Sequence, residues 1–244
     1  MDIDINELAA KIAFFPGSTK VSGQPYSDPC SACPDFYTPA SIGIGKRFLD
    51  LLLGSILCLV LSPLFIALIV VVKMDTPGPA ILYQKRLGRY GQEFKCYKYR
   101  TMHQSNRAIL ESHLQNNPTV KADWDKFAKL RGNDPRITRS GKWLRRWSLD
   151  ELPQLLNVVG GNMSLVGPRP YLPREKSEMR RKDDLILSVL PGMTGLWQVS
   201  GRNDIEFAGR LNLDCWYVLN RSLRLDIAIL FKTIPTVFGQ RGAY

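Results

Sequence analysis

The sequence predicts an α+β protein, mainly α with short β elements. It is read as monotopic in the membrane, with a re-entrant helix-break-helix followed by a cytoplasmic domain. Three observations lead there. Residues 51–72, LLLGSILCLVLSPLFIALIVVV, run for 22 positions without a charge, which meets the length of about 20 apolar residues needed to cross a bilayer. Lys46 and Arg47 precede this run, and Lys73, Lys85, Arg86 and Arg89 follow it, so both ends favour the cytoplasmic side. The remainder, in a chain that is 45% hydrophobic and 23% charged, has enough apolar residues to bury a core and alternates short strand-like and helix-like patterns.

Residues 1–45 hold five prolines and four glycines and read as a mobile N-terminal arm, with a short helical pattern at Ile5–Phe15. Cys30 and Cys33 form a C-x-x-C without a second pair at zinc spacing, so no metal site is read there. Residues 46–74 form the re-entrant hairpin. Pro63 lacks a backbone N–H and breaks the run near its middle, and Ser62 can hydrogen-bond a carbonyl that the proline frees. Each half, about 11 residues or about 17 Å of helix, reaches roughly mid-bilayer and returns. A buried core helix is the alternative, but few such helices are apolar on every face. Asp50, three residues after Arg47, is expected to pair with it at the interface.

Residues 75–244 make up the cytoplasmic domain. From Pro79 to Thr101, aromatic and aliphatic residues alternate with bases around a Gly88–Gly91 turn, which predicts a strand hairpin. Residues 103–130 read as a polar helical insertion interrupted at Asn117–Pro118, with His103 and His113 expected to face solvent. Residues 142–147, KWLRRW, interleave tryptophan with bases and suit the lipid headgroup level or a partner surface. Leu223–Phe238 is too short and too charged to span, and is read as packing or lying in the interface.

A net charge of +11 and a pI near 9.6 call for a partner bearing phosphates: nucleic acid, anionic lipid or a nucleotide substrate. Bases beside a membrane segment are expected for anionic lipid in any case, so a membrane-tethered nucleic-acid-binding protein is the weaker reading. The five cysteines are too sparse for a disulfide scaffold and fit a reducing compartment.

The residues with most chemistry follow. SLDELPQLLNVV, residues 148–159, is an apolar-periodic helix with Pro153 near its start, which places Asp150 and Glu151 at a helix N-terminus. There the macrodipole favours ionised carboxylates, phosphate or a shared metal ion. An anionic Asp150 is a potential nucleophile toward phosphorus, although acidic residues are also ordinary at helix starts. In GGNMSLVGPRPYLPRE, residues 160–175, Arg169 stands between Pro168 and Pro170, so its guanidinium fork meets phosphate at reduced ordering cost. The alternative is a structural turn carrying a surface arginine. PGMTGLWQVSGR, residues 191–202, adds a glycine-rich turn ending in Arg202 that is compatible with a nucleotide or phosphate pocket.

Four stretches in this order, KRFLDLLLGSILCLVLSPLF, GPAILYQKRLGRYGQEFKCYKYRTM, LDELPQLLNVVGGNMSLVGPRP and PGMTGLWQVSGR, resemble the bacterial sugar transferases, the monotopic polyprenyl-phosphate hexose-1-phosphate transferases. The likeness runs from about Lys46 to Tyr244. It implies that Asp150 attacks the sugar-bearing phosphorus of a UDP-sugar, expels UMP and holds the phosphosugar covalently. Glu151 would complete the dyad, assisting proton removal from the lipid phosphate or orienting Asp150. Asp150 would also contact the Mg²⁺ that neutralises the pyrophosphate. Lys98, Arg100, Arg145 or Arg146, and Arg169 would bind phosphate, and Ser62–Pro63 would be the helix break. Undecaprenyl phosphate would be the acceptor, in the bacterial inner membrane, with the catalytic domain facing the cytoplasm and the product starting polysaccharide or glycoconjugate assembly. No nucleic acid is implied, and a homo-oligomer is compatible. Longer members carry several spans and a further domain before these motifs, which are missing here. The insertion at 105–133 and the ending LDIAILFKTIPTVFGQRGAY resemble those longer members and favour galactose or glucose. A non-catalytic membrane scaffold is the other reading, but the chain keeps Asp150, Glu151 and Arg169.

Overall fold

The computed structural model describes residues 43–127, 130, 134–201 and 205–238. The 1–45 arm up to residue 42, its Cys30–Cys33 pair and the last six residues lie outside that set. Helix α1 (Ile44–Val60) and helix α2 (Ser62–Asp75) meet at Leu61, and the pair is bent by 60°. The break has a local cause. Pro63 cannot donate to the carbonyl of Leu59 four residues back, and the Ser62 hydroxyl donates to that oxygen instead at 2.7 Å. Among the described residues no single helix is long and apolar enough to cross a membrane; α1 and α2 pass only as a pair. Phe48, Leu59, Val60, Ile66 and Met74 on the pair are exposed.

Strands β1 (Ile81–Leu87) and β2 (Glu93–Tyr99) form the antiparallel hairpin that the alternation predicts, with Leu82 opposite Lys98. The turn between them places Tyr90 and Gly91 at positive φ. The insertion forms α3 (Asn106–Asn116) and α4 (Pro118–Phe127), divided at the predicted Asn117–Pro118 step. His103 and His113 are half-buried rather than exposed, and Asn117 packs back onto the His113 carbonyl at 2.8 Å. Helix α5 (Arg139–Arg146) begins at Thr138, whose hydroxyl accepts the Gly141 N–H.

The single helix expected over 148–159 is instead a 3₁₀ turn at Leu149–Glu151 followed by the short α6 (Gln154–Val159). Strand β3 (Ser164–Val166) then pairs in parallel with β4 (Gly192–Thr194). Between them lie a 3₁₀ turn at Pro173–Glu175 and two one-turn helices, α7 (Lys176–Met179) and α8 (Asp183–Ile186). The approach behind β3 and β4 is close: a Cβ on Gly192 would lie 2.0 Å from the Gly167 nitrogen, so only glycine fits. Helices α9 (Leu196–Ser200), α10 (Phe207–Asn220) and α11 (Leu223–Phe238) complete the domain.

The main core gathers α6, β3, α9, α10 and α11, and Leu53, Cys58, Leu61 and Phe65 of the hairpin pack against it. The hairpin is therefore docked on the domain, and its basic flank serves that docking. Lys46 donates to the Asp226 carboxylate at 2.6 Å and to the Val166 carbonyl at 3.0 Å. Arg47 donates to the carbonyls of Val158 and Val159 at the end of α6. The expected Arg47–Asp50 pair is replaced: Asp50, 3% exposed, accepts the Leu165 N–H at 3.0 Å. Burial against β3 gives its carboxylate a backbone donor in place of an interfacial cation.

Candidate active site

Ser148 adopts a left-handed conformation, φ 55°, at the end of α5. A non-glycine residue there costs about 1–2 kcal/mol, and the reversal sends the chain into the 3₁₀ turn that carries Asp150 and Glu151. Their neighbours Leu149 and Leu152 pack with Leu64, Phe65, Leu68 and Val72 of α2. The turn that carries the two carboxylates is thus packed on the second half of the hairpin.

Strand β2 brings Lys98 to the same place. Its ammonium contacts Glu151 Oε1 at 2.6 Å. Asn157 of α6 fixes the strand against the dyad, accepting the Tyr97 N–H at 3.0 Å and donating to the Lys95 carbonyl at 2.8 Å. From α5, Arg145 donates to the Thr101 hydroxyl at 2.9 Å, and its charge reaches Asp150. Arg169 and Arg86 reach Glu151 in the same way. A cleft of about 480 Å³ is lined by Leu82, Tyr83, Thr101 and by two of these cations, Lys98 and Arg145.

These surroundings separate the two acids. Burial and the neighbouring Glu151 charge push Asp150 up to about 6, against the pull of Lys98 and Arg145. Burial also opposes ionisation of Glu151, but the Lys98 charge and hydrogen bond, with Arg169 and Arg86, outweigh it and hold Glu151 below the usual carboxylate range. Lys98 is held above its ordinary value because Glu151 and Asp150 overcome the cost of its burial. At pH 7 both carboxylates are largely ionised. Glu151 is committed to an ion pair, and Asp150 is the more basic and nucleophilic oxygen donor. Macrodipole stabilisation, expected from the helix reading, does not dominate, because Asp150 precedes α6 by a full turn and burial governs it.

The sequence-predicted cations divide. Lys98, Arg145 and Arg169 gather around the dyad. Arg146 is exposed on α5, and Arg202 lies outside the described residues. Arg100 departs from the phosphate-binding expectation: it is 2% exposed, and its guanidinium donates to the carbonyls of Pro77 at 2.8 Å and Thr76 at 2.6 Å, so it holds the end of α2 instead. Sequence reasoning counted Arg86 only as a flanking charge, yet it is buried, donating to the Pro170 carbonyl at 2.9 Å and to Gln84 at 2.8 Å. Asn157 and Asp214 were also missed, and their signal was a polar residue at a buried position of an apolar helix.

Among the described residues no cluster of three or more His, Cys, Asp or Glu side chains is arranged to hold a metal ion by itself. Mg²⁺ commonly takes only one or two carboxylates and completes its shell with water and substrate phosphate. Asp150, the dyad member outside the Lys98 ion pair, fits that use.

Comparison with known proteins places this architecture. The family model for the bacterial sugar transferases matches residues 42–240. Undecaprenyl-phosphate galactose phosphotransferase of Salmonella typhimurium is 48% identical over 199 residues, covering 82% of this chain and 41% of that protein. UDP-galactose-lipid carrier transferase of Erwinia amylovora is 49% identical, with 82% and 41% covered. The exopolysaccharide production protein ExoY of Sinorhizobium fredii is 44% identical over 202 residues, covering 83% of this chain and 89% of that protein. The chain thus spans about two fifths of the first two relatives and most of the third. With the match extending from the start of the hairpin through α11, the chain belongs to the bacterial sugar transferase family.

Proposed function

We propose that this protein transfers a hexose-1-phosphate from a UDP-sugar to undecaprenyl phosphate through a covalent aspartyl intermediate. The observation that carries the reading is the Asp150–Glu151 pair, ringed by Lys98, Arg145, Arg86 and Arg169 and seated on the second half of the hairpin. The relatives' names supply the substrate classes, undecaprenyl phosphate and UDP-galactose, and galactose or glucose is the favoured sugar. The acceptor would reach the dyad along the hairpin, which is read as re-entrant in the inner membrane with the domain on the cytoplasmic side.

In the first step an Asp150 carboxylate oxygen bonds to the sugar-bearing phosphorus. The bond from that phosphorus to the bridging oxygen breaks, and its electron pair leaves with UMP. In the second step an oxygen of the lipid phosphate bonds to the same phosphorus and the aspartyl–phosphorus bond breaks, which regenerates the carboxylate and yields a lipid diphosphate sugar. Glu151 is held ionised by Lys98 and is a weak proton acceptor, so orienting Asp150 and Lys98 suits it better than removing a proton. Arg169 and Arg145 would balance the diphosphate charge. Bound Mg²⁺, held by Asp150 and substrate oxygens, would supply further charge neutralisation.

The test is incubation of the detergent-solubilised protein with UDP-glucose or UDP-galactose and Mg²⁺, without acceptor. UMP release up to one equivalent and a phosphosugar on the peptide containing Asp150 are expected, and both vanish in Asp150→Asn. An active Asp150→Asn would refute the covalent route.

A further inference from the structure

Pro168-Arg169-Pro170 contains one backbone donor, because proline has no N–H. That donor, the Arg169 N–H, points to Asp214 Oδ2 at 3.1 Å. The same oxygen accepts the Tyr171 hydroxyl at 2.7 Å. Asp214 lies on α10, is 0% exposed, and is flanked on its helix by the buried Leu211, Leu213, Cys215 and Tyr217. A leucine would suit that position by packing alone. Burial instead pushes the Asp214 carboxyl up to about 7, against the Tyr171 and Arg169 hydrogen bonds and the Arg169 and Arg210 charges. A group so costly to bury calls for a use.

The loop has further ties, one of them to the same peptide. Gly167 N–H donates to Thr194 O, Gly192 N–H to Pro168 O and Leu87 N–H to Tyr171 O, and Arg86 donates to Pro170 O. The two prolines fix their own φ, and Pro170 restricts Arg169 to extended conformations. The peptide between Pro168 and Arg169 is held from both sides, its oxygen by the Gly192 N–H and its N–H by Asp214, and Asp214 is the only one of these two partners that is a side chain.

We propose that Asp214 is a positioning residue: by holding the Arg169 N–H it aims the Arg169 guanidinium at the diphosphate of the nucleotide-sugar donor. This rests on the reading of Arg169 as a diphosphate ligand. Trp197 gives the aimed guanidinium a surface to rest on, with Arg169 5.8 Å and Arg210 5.1 Å from its ring centroid. Helix α10 thereby contributes to the site although it carries no residue of the dyad.

The test uses UDP, which carries the diphosphate whatever the sugar, titrated calorimetrically into the full chain in detergent, with melting temperatures recorded alongside. Asp214→Asn keeps an acceptor oxygen at the same place and is expected to bind UDP within threefold of wild type. Asp214→Leu removes the acceptor and should weaken UDP about tenfold or more. Tyr171→Phe leaves the Arg169 N–H bond intact and should stay within threefold. In an Arg169→Ala background, Asp214→Leu should cause no further loss. Normal UDP binding by Asp214→Leu, or additive losses in the double variant, overturns the proposal while leaving Arg169 as a ligand. If Asp214→Leu does not fold, the other two variants still decide: a tenfold loss in Asp214→Asn or Tyr171→Phe at unchanged melting temperature also overturns it. Arg169→Ala with unchanged UDP affinity removes the underlying reading and this proposal with it.

Discussion

Replacing Lys46 by methionine tests whether the hairpin is held to the domain by a buried charge. The Lys46 side chain is 19% exposed and that of Asp226 3%, so the pair lies largely outside the reach of solvent screening. Asp226 also accepts the Tyr217 hydroxyl at 2.7 Å and feels the like charge of Asp50. Removing one member of a buried pair strands the other and costs about 3–5 kcal/mol, whereas replacing both by apolar groups is often neutral. The partial exposure of Lys46 puts the expected loss near about 3 kcal/mol, or about 6–12 °C in melting temperature at about 2–4 °C per kcal/mol for a chain of this size. Lys46→Met/Asp226→Leu should recover most of it.

The pH dependence supplies a second reading of the same pair. Burial raises the Asp226 pKa in the folded state, and Lys46 is the main opposing influence. Loss of Lys46 raises it further, so the folded variant binds this proton more tightly than the unfolded chain does. Its stability therefore improves as pH falls. Thermal unfolding in detergent should show a larger deficit for Lys46→Met at pH 8 than at pH 5. A deficit under about 1 kcal/mol, or a double variant no better than the single one, would refute the argument and return the docking to apolar packing alone.

Four further outcomes follow from the geometry. Gly141→Ala would put a Cβ 2.2 Å from the Thr101 carbonyl oxygen, so it should cost about 1–3 kcal/mol by calorimetry and displace Arg145, lowering UMP release more than stability. Ionised Asp150 is lost as pH falls through about 6; at saturating Mg²⁺ the acid limb of the activity profile should move down in Glu151→Gln, which removes a like charge but keeps the larger effect of burial. A limb that rises instead would contradict the assignment. Chelation by EDTA should stop turnover and added Mg²⁺ restore it, measured as UMP release. Single cysteines introduced at positions 20 and 110 should both resist an impermeant label in intact cells, and Pro63→Ala should shift the balance toward labelling at one of them because the helical donor returns.

What was legible in the sequence was local. The Ser62–Pro63 break, the strand hairpin within 79–101 and the Asn117–Pro118 division each follow from a residue's own backbone chemistry or from a period of two, and all three stand where expected. The parallel β3–β4 pair was not legible, because its three-residue strands carry too little periodicity and their pairing joins Ser164 to Gly192. The arginines show the same limit. Charge is visible in the chain, but Arg100 and Arg86 are defined by carbonyls brought to them from distant segments. Asp150 and Glu151 were legible as a pair because they are adjacent; their unequal acidities were not, because these depend on Lys98 arriving from β2.

The contacts of the hairpin tie its bend to the geometry of the site. On α1, Asp50 accepts from Leu165 and Lys46 donates to Val166, the last two residues of β3 before the loop that carries Arg169. On α2, Phe65 O accepts the Tyr99 hydroxyl at 3.1 Å, and the carbonyls after Val72 are gathered by Arg100, the residues directly following Lys98. Each half of the hairpin is thus fastened next to one of the cations that surround the dyad, and the bend between the halves enters the distance between those cations. A change of bend at Leu61 would alter the spacing of Lys98 and Arg169 without touching either. Substitutions at Ser62 or Pro63 should on this ground change activity as well as topology, and activity lost in Pro63→Ala with retained melting temperature would carry that signature.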